Sequence, residues 1–216
     1  MCSTSPRAGS GHRELLERLA LAGIECTFFD LSTDVGVPVI GLVQRCRARF
    51  PHVVTMAACR ATAKRAALRV VEEAATLRAA LFAGRRPGDD FGDVFEGGPV
   101  AAERFGLLHA EPDALDRFGQ RIAAAPLADA PAADRDDRTL VDEVLAELSD
   151  QRREVIVVDV TVAEVRALGL AVVRVLVPSL VPLNFAHAIR HLGHPRLRAA
   201  IVRNGGTPDP WPIPYA

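Results

Sequence analysis

The chain has almost no net charge: its 26 basic residues, of which Lys64 is the only lysine, are balanced by 27 acidic ones, and the formal net charge is −1. The sequence therefore offers no basic field for nucleic acid or an acidic membrane surface. No apolar run approaches the ~20 residues that span a bilayer, and the start, MCSTSPRAGSGHRELL, lacks the apolar core of a signal peptide. We therefore predict a soluble, cytoplasmic protein that binds neither nucleic acid nor membrane.

Cysteine is also scarce and lies only in the first part of the chain. Cys2, Cys26, Cys46 and Cys59 match no metal-binding spacing, and a disulfide framework is typical of smaller secreted domains. We expect free, mostly buried thiols. The chain also lacks the P-loop, the GxGxxG fingerprint and the GxSxG elbow, so no single local motif assigns a chemistry.

Valine is abundant, above all in the stretch Glu154–Leu183. Its apolar runs Val155–Val158 and Ala171–Val177 have the length and the β-branched content of strands. Between them, Asp159-Val160-Thr161 predicts a turn and Ala163–Leu168 a short helix. The almost unbroken valine predicts strands that are buried on both faces, in the centre of a sheet.

The same order of features occurs earlier in the chain. FFDLSTDVGVPVIGLV and VVDVTVAEVRALGLAVVRVLV share an apolar strand, an Asp-x-Ser/Thr turn, a glycine and a second apolar strand. A predicted amphipathic helix precedes each, Arg13–Ala22 in the first case and Leu140–Leu148 in the second. These two pseudo-repeated helix–strand–turn–strand units predict an α+β fold of mixed β-sheets with packed helices.

The rest of the chain divides into regular elements and polar connections. Arg60–Phe82 predicts the longest helix, Glu111–Ile122 a shorter one, and Val53–Met56 a further strand. Composition predicts a disordered start at residues 1–11, a flexible loop at 85–98, a linker at 123–138 and a proline-rich tail at 208–216. The body of the domain is therefore expected between residues 12 and 207.

Arg69 and Glu73 stand four residues apart on the longest predicted helix and project from one face. An arginine and a carboxylate in this arrangement can hold a nucleotide, with the guanidinium on phosphate and the carboxylate on Mg²⁺. An ordinary surface ion pair has the same spacing. Glu72 and Arg78 leave the same two alternatives open.

Three histidines near the C-terminus form another candidate site. The spacing of His187, His191 and His194 is one that a zinc site uses. Gly193 and Pro195 interrupt the helix between them, so a solvated helix face is the preferred interpretation.

The last ten residues, TPDPWPIPYA, alternate proline with other residues and carry the only tryptophan and the only tyrosine. Alternating proline favours an extended, preordered tail. A frayed terminus and a proline-rich ligand for another domain are the alternatives.

Five segments in order resemble the YcaO family, especially the cyclodehydratases that form thiazole and oxazole rings in ribosomal peptides. The similar segments are FDLSTDVGVPV at 29–39, AALRVVEEAATLR at 66–78, the stretch 158–183, RHLGHPRL at 190–197 and the terminal Pro208-x-Pro210-x-Pro212 motif. They correspond to the C-terminal half of the family's domain.

The resemblance implies ATP-dependent activation of a backbone amide, with ATP and Mg²⁺ as cofactors. A Cys, Ser or Thr side chain of a precursor peptide attacks the preceding carbonyl, whose oxygen leaves as phosphate to give an azoline. By position, Arg69 and Glu73 correspond to the cofactor-binding residues, with Glu73 also a metal ligand, and Pro208, Pro210 and Pro212 to the catalytic tail. Thioamide and amidine products remain open alternatives.

Two functions follow from the resemblance. The first is a cyclodehydratase component that is incomplete alone, because the family's N-terminal half supplies further acidic ligands. Its expected partners are a precursor peptide, a leader-peptide-binding protein and a separate chain with the N-terminal YcaO half. The second is a non-catalytic scaffold or degenerate remnant that binds partners in a peptide-maturation complex, which Thr76, at a position of the family's glutamine, favours.

Overall fold

The structure, a computed structural model, describes residues 10–86, 88–96, 100–122 and 136–214. Their contacts divide into two compact units. The first comprises the described residues within Met1–Asp137, Asn184–Arg190 and Asp209–Ala216, and the second comprises Arg138–Leu183 and His191–Pro208. The body predicted between residues 12 and 207 therefore contains parts of both units.

The first unit contains three strands and five α-helices among its described residues. The strands are β1 (Glu25–Asp30), β2 (Val39–Arg45) and β3 (Val53–Cys59). The helices are α1 (Ser10–Leu21), α2 (Ala63–Gly84), α3 (Gly92–Glu96), α4 (Ala102–Ala110) and α5 (Ala114–Ile122). A 3₁₀ helix, His187–Ile189, also belongs to this unit.

β2 is the central strand of an antiparallel sheet with the order β1–β2–β3. Successive side chains of a strand point to opposite faces, so each strand contributes to two packing layers. One face packs against α2, and its buried residues are Ile40, Leu42, Val54 and Ala58. The other face packs against the start of α5 through Val43, Val53 and Ala114.

Several predicted segments of this unit have different bounds in the structure. α1 begins at Ser10, inside the disordered start expected at 1–11, and residues 1–9 lie outside the described residues. α3 lies inside the loop expected at 85–98, because Asp90 Oδ1 accepts a hydrogen bond from Gly92 N at 3.0 Å and turns the chain into a helix. α4 has no counterpart among the predicted elements. Most of the linker expected at 123–138 lies outside the described residues.

The thiols expected from the sequence carry no disulfide bond where the structure describes them. Cys46 is buried, Cys26 is partly buried and Cys59 is exposed. Cys2 lies outside the described residues.

The second unit contains two strands and three helices. The strands β4 (Ile156–Asp159) and β5 (Val173–Leu176) form an antiparallel pair. The helices are α6 (Asp137–Asp150), whose first residue belongs to the first unit, α7 (Ala163–Ala167) and α8 (Pro195–Asn204). Among the described helices of both units, none is long and apolar enough to cross a membrane.

The prediction that the valine-rich strands are buried in the centre of a sheet is wrong. Every residue of β4 and β5 is exposed, including Val157 at 60% and Val173 at 54%. Within the described residues, the sheet consists of these two strands alone. β-branched residues favour strand formation, but burial also needs a neighbouring strand and a covering helix, which a local pattern does not supply.

The repeat predicted from the sequence is present in the hydrogen bonds that end the two preceding helices. After α1, the amides of residues 22, 23 and 24 donate to the carbonyls of residues 18, 20 and 19. After α6, the amides of residues 151, 152 and 153 donate to the carbonyls of residues 147, 149 and 148. Gly23 and Arg152 occupy the same place in this pattern, and both have positive φ, 74° and 53°. Both helices therefore end in a Schellman motif.

The Asp-x-Ser/Thr turn is also the same in both copies. Asp30 Oδ1 accepts a hydrogen bond from Ser32 N at 2.7 Å, and Asp159 Oδ1 accepts one from Thr161 N at 2.8 Å. Each hydroxyl oxygen then accepts from the chain that returns beside it, in the pairs Val39 N to Ser32 Oγ (3.0 Å) and Val172 N to Thr161 Oγ1 (2.9 Å). The strand pairs β1–β2 and β4–β5 thus begin from equivalent turns.

Candidate functional site

Helix α2 carries the predicted arginine–glutamate pair. Thr62 caps its start, and Thr62 Oγ1 accepts a hydrogen bond from Arg65 N at 3.1 Å. The buried residues recur at helical spacing and are Ala66, Ala67, Val70, Val71, Ala74 and Leu81. Arg69 and Glu73 lie beside this buried stripe, so the packing of α2 leaves both side chains accessible.

Arg69 contacts two carboxylates. Its Nε donates to Glu73 Oε1 at 2.5 Å, and its Nη1 lies 3.5 Å from Glu72 Oε2. The side chains of Arg69 and Glu72 are 45% and 50% exposed, and that of Glu73 is 27% exposed. One guanidinium and two carboxylates therefore share an accessible patch, which we call the α2 patch.

The donor set of the α2 patch fits a Mg²⁺–nucleotide. Mg²⁺ commonly keeps several waters and takes one or two carboxylates together with phosphate oxygens. Glu72 and Glu73 offer two carboxylates of this kind. Among the described residues, no group of three or more His, Cys, Asp or Glu could hold a metal ion. Because an exposed ion pair contributes at most about 1 kcal/mol, Arg69 and Glu73 can separate to contact phosphate and cation at little cost.

Arg78 is not part of the α2 patch. Its side chain turns toward the sheet, where Nε donates to Gln44 Oε1 at 3.1 Å and Nη1 donates to the carbonyl of Pro51 at 2.8 Å. Burial lowers the pKa of the Arg78 guanidinium. Arg78 therefore fastens α2 to the sheet and does not form the surface ion pair that the sequence left open, while a phosphate contact by Arg78 stays a prediction.

The proline tail is anchored through its backbone. Pro212 is buried, and its carbonyl oxygen lies 3.1 Å from Nε2 of His109, which is only 3% exposed. This contact requires the ring proton on Nε2. Thr55 Oγ1 of β3 donates a further hydrogen bond to the carbonyl of Pro214. Proline keeps its carbonyl acceptor although it has no N–H, so these bonds hold the tail without any donor from proline itself.

Trp211 adds side-chain contacts to this anchoring. The Cζ of Arg117 lies 4.1 Å from the Trp211 ring centroid, and Phe95 meets Trp211 edge-on with 5.7 Å between centroids. Asp209 Oδ1 accepts a hydrogen bond from Trp211 N at 3.0 Å, and the carbonyl of Asp209 accepts one from Arg190. A frayed terminus therefore does not describe residues 209–214.

The structure does not bring the anchored part of the tail and the α2 patch together. Val54 and Ala58 of β3 point toward α2, whereas Thr55, which holds Pro214, points to the opposite face of the sheet. Pro208 and Pro210 are exposed, and Pro208 belongs to the second unit.

The three histidines have separate local roles. His187 lies in the 3₁₀ helix and meets Phe95 edge-on, with 5.6 Å between centroids, and burial together with nearby Arg190 lowers the pKa of His187. His194 caps α8, because its Nδ1 accepts a hydrogen bond from Arg196 N at 3.2 Å. His191 is exposed. The expectation of one solvated helix face is wrong, since the chain forms a 3₁₀ turn and a helix cap here.

The residues that hold the tail are not among the predicted site residues. His109 lies on the unpredicted helix α4, and no local pattern distinguishes it from the other five histidines. Arg117 is one of 26 basic residues, and its partner Trp211 lies far away in the sequence. The single tryptophan was the usable signal, because a lone indole in a proline-rich tail needs a partner surface.

Comparison with known proteins gives one family match and one curated relative. The model of the family described as YcaO cyclodehydratase, ATP- and Mg²⁺-binding, matches residues 5–181. An uncharacterized protein in the tfuA 3′ region of Rhizobium leguminosarum bv. trifolii is 36% identical over 84 residues. That match covers 36% of this chain and 20% of the relative.

Two solved structures have a similar fold. A heterocyclase in complex with substrate and cofactor matches with a TM-score of 0.60 and 16% identity, over 97% of this chain and 28% of the other. The heterocyclase TruD matches with a TM-score of 0.54 and 17% identity, over 97% of this chain and 27% of the other. At these identities the likeness establishes the mixed α+β fold alone. The family model matches most of the residues of this chain, and the chain therefore belongs to the YcaO family.

Proposed function

We propose that this chain is a component of a YcaO-type cyclodehydratase that uses ATP and Mg²⁺ to form azolines in a ribosomal precursor peptide. The observation that carries the proposal is the Arg69–Glu73 pair, accessible and joined at 2.5 Å, on a helix within the residues that the family model matches. The description of that family, with its ATP and Mg²⁺, supports the activity class.

The proposed role of the α2 patch is electrostatic. Arg69 donates to phosphate oxygens, and Glu73, assisted by Glu72, holds the cation. A bound Mg²⁺–nucleotide supplies the phosphoryl group that converts an amide oxygen into a leaving group. Thr62 and Arg78 fix the start and the middle of α2, so the patch keeps its geometry while charge develops on the phosphate.

The proposed reaction removes one water from the peptide for each ring. A Cys, Ser or Thr side chain of the substrate loses its proton and adds to the preceding carbonyl carbon. The carbonyl oxygen receives the phosphoryl group of ATP, with ADP as the other product, and leaves as phosphate, and the amide nitrogen loses its proton to form the ring C=N bond. Cysteine gives a thiazoline, and serine or threonine gives an oxazoline.

The α2 patch supplies only part of the ligands that a Mg²⁺–triphosphate needs. The chain spans 28% and 27% of the two heterocyclase chains, so other parts of such a protein have no counterpart here. We propose that a further YcaO segment supplies the remaining acidic ligands, and that a leader-peptide-binding protein delivers the precursor in the cytoplasm. The tail, with Pro208, Pro210 and Pro212, is proposed to order the active site of this complete assembly.

The test is a reconstitution with precursor peptide, ATP, Mg²⁺ and the candidate partner proteins. We expect peptide-dependent phosphate release and a peptide mass lower by one water per azoline, with loss of both signals in Arg69→Ala and Glu73→Ala. Exchange of oxygen for sulfur in the product would instead identify a thioamide. No peptide-dependent phosphate release in any mixture, or release unchanged by both substitutions, contradicts the proposal.

The second candidate function is a non-catalytic scaffold in a peptide-maturation complex. The observation that favours it is the tail, whose carbonyls are bound by His109 of α4 and by Thr55, which lies on the face of the sheet away from α2. Thr76 also bonds the carbonyl of Glu72 at 3.3 Å instead of presenting an amide. Full peptide modification in cells that carry Glu73→Ala would establish the scaffold, and loss of modification in those cells would exclude it.

A further inference from the structure

The valine-rich sheet of the second unit exposes a surface whose counterpart in the first unit is covered. The equivalent Asp-x-Ser/Thr turns align β1–β2 with β4–β5, and the strand registers then match Val173 with Ile40 and Val175 with Leu42. Ile40 and Leu42 are 1% and 0% exposed, because α2 covers them. Val173 and Val175 are 54% and 55% exposed.

The same two valines direct their backbone groups toward an open edge. Val160 N donates to Val172 O at 3.0 Å, which makes this pair a hydrogen-bonded one. Hydrogen-bonded pairs alternate along an antiparallel ladder, so the amides of Val173 and Val175 point away from β4. In the first unit, the corresponding amides of β2 pair with β3. β5 has the same geometry and, within the described residues, no strand on that side.

We infer that β5 and the face formed by Val157, Val173 and Val175 dock a strand and a helix of a YcaO-type partner. The partner's strand pairs antiparallel with β5, and its helix covers the three valines, as β3 and α2 do in the first unit. This inference rests on the proposed function, in which another YcaO segment completes the nucleotide site.

The covering elements of the first unit define the chemistry of the partner. β3 alternates its side chains between two layers, and α2 presents small and branched apolar residues to the sheet, so the partner segment needs an apolar strand followed by a helix with an apolar stripe. A second copy of this chain cannot supply its β3 and α2, because both are already packed in its own first unit. The occupant is therefore a YcaO-type partner that brings its own strand and helix.

The test measures binding of the full chain to each purified YcaO-type protein of the same cell. We expect one of them to bind, and the double substitution Val173→Lys/Val175→Lys to raise the Kd about tenfold or more, since a docked helix would bury both ammonium groups. Val202→Lys on α8, where the side chain is 80% exposed, is the matched control and should leave the Kd unchanged. Because Val173, Val175 and Val202 are each more than half exposed in the chain alone, the lysine variants should unfold at the same temperature as the parent.

Hydrogen exchange gives a second, independent measurement. The amides of Val173 and Val175 should exchange rapidly in the chain alone and become protected in the complex. Binding that the two lysines do not weaken, amides that stay unprotected, or no binding of any YcaO-type protein would overturn the inference. A dimer of this chain that the lysines disperse would also overturn it in favour of a second copy. A complex that depends on these valines but releases no phosphate supports the docking surface and contradicts only the proposed function.

Discussion

Replacing Arg69 with alanine distinguishes a nucleotide contact from a surface ion pair. The Arg69 and Glu73 side chains are 45% and 27% exposed, and an exposed i,i+4 pair contributes about 0.3–0.5 kcal/mol to stability. For a chain of this length that corresponds to a loss of about 1–2 °C in the unfolding midpoint. Removal of a charge contact to the transition state lowers turnover about 10²–10³-fold, or about 3–4 kcal/mol. The catalytic effect should therefore far exceed the effect on stability.

Arg85→Ala is the matched control for this substitution. Arg85 Nε and Nη2 donate to Glu111 at 3.2 and 3.3 Å, and the two side chains are 49% and 26% exposed, nearly as in the Arg69–Glu73 pair. We expect a somewhat larger loss of stability, because Arg85 also lies over the Phe50 ring at 4.5 Å from its centroid, and no loss of turnover. Arg69→Lys should recover part of the turnover, because it keeps the charge but loses the planar fork.

The assay is peptide-dependent phosphate release by the reconstituted complex, with thermal unfolding of each variant measured in parallel. Equal losses of turnover in the Arg69→Ala and Arg85→Ala variants would refute the assignment, since both would then report a general effect on the surface. Full turnover in the Arg69→Ala variant would refute it directly.

Three further predictions concern the stability of the fold. Gly41→Ala should lower the free energy of unfolding by about 1–3 kcal/mol in chemical unfolding, because a Cβ there would lie 2.8 Å from Leu31 Cδ1 and closer still to the ring of Phe29. Gly206→Ala is the control and should lower it by much less, because the space around Gly206 is open. His109→Ala should lower the free energy of unfolding by about 1–3 kcal/mol, because it leaves the buried Pro212 carbonyl without a donor. It should also shift the fluorescence emission of Trp211, the only tryptophan, to the red, and unchanged emission would contradict the anchoring of the tail. The hydrogen bond from Arg166, with those from Thr161, lowers the pKa of Asp159 from 3.8 to about 2. The parent chain should therefore be more stable than the Asp159→Asn variant above pH 3.8, and this difference should disappear as the pH falls through about 2. An advantage that persists below pH 2 in thermal unfolding would exclude this cause.

Local chemistry explains which parts of the fold could be predicted. Asp30 and Asp159 each bond an amide two residues away, so the turns follow from a few neighbouring residues. The ends of α1 and α6 are equally local, whereas α2 begins at Ala63, three residues after the predicted start at Arg60, because Thr62 caps it. The α2 patch was predictable for the same reason, because two side chains four residues apart on a helix must be neighbours.

Contacts between distant residues explain what could not be predicted. Arg78 stands only five residues after Glu73, yet it turns inward because Gln44 and the carbonyl of Pro51 lie within reach there. The tail depends on His109 and Thr55, which are remote in sequence, and this pairing puts Pro214 on the face of the sheet away from α2.

The repeat, the strands, the turns and the arginine–glutamate pair can all be predicted from local sequence, since each arises from residues that are close together in the chain. Which copy of the repeat is covered depends on tertiary contacts. Ile40 and Val173 occupy equivalent places in equivalent strands, but the first is 1% exposed and the second 54%. The difference is that β3 and α2 follow β2 in the chain and pack against it. The side chains of a strand do not determine whether another segment covers it, because that segment lies elsewhere in the sequence.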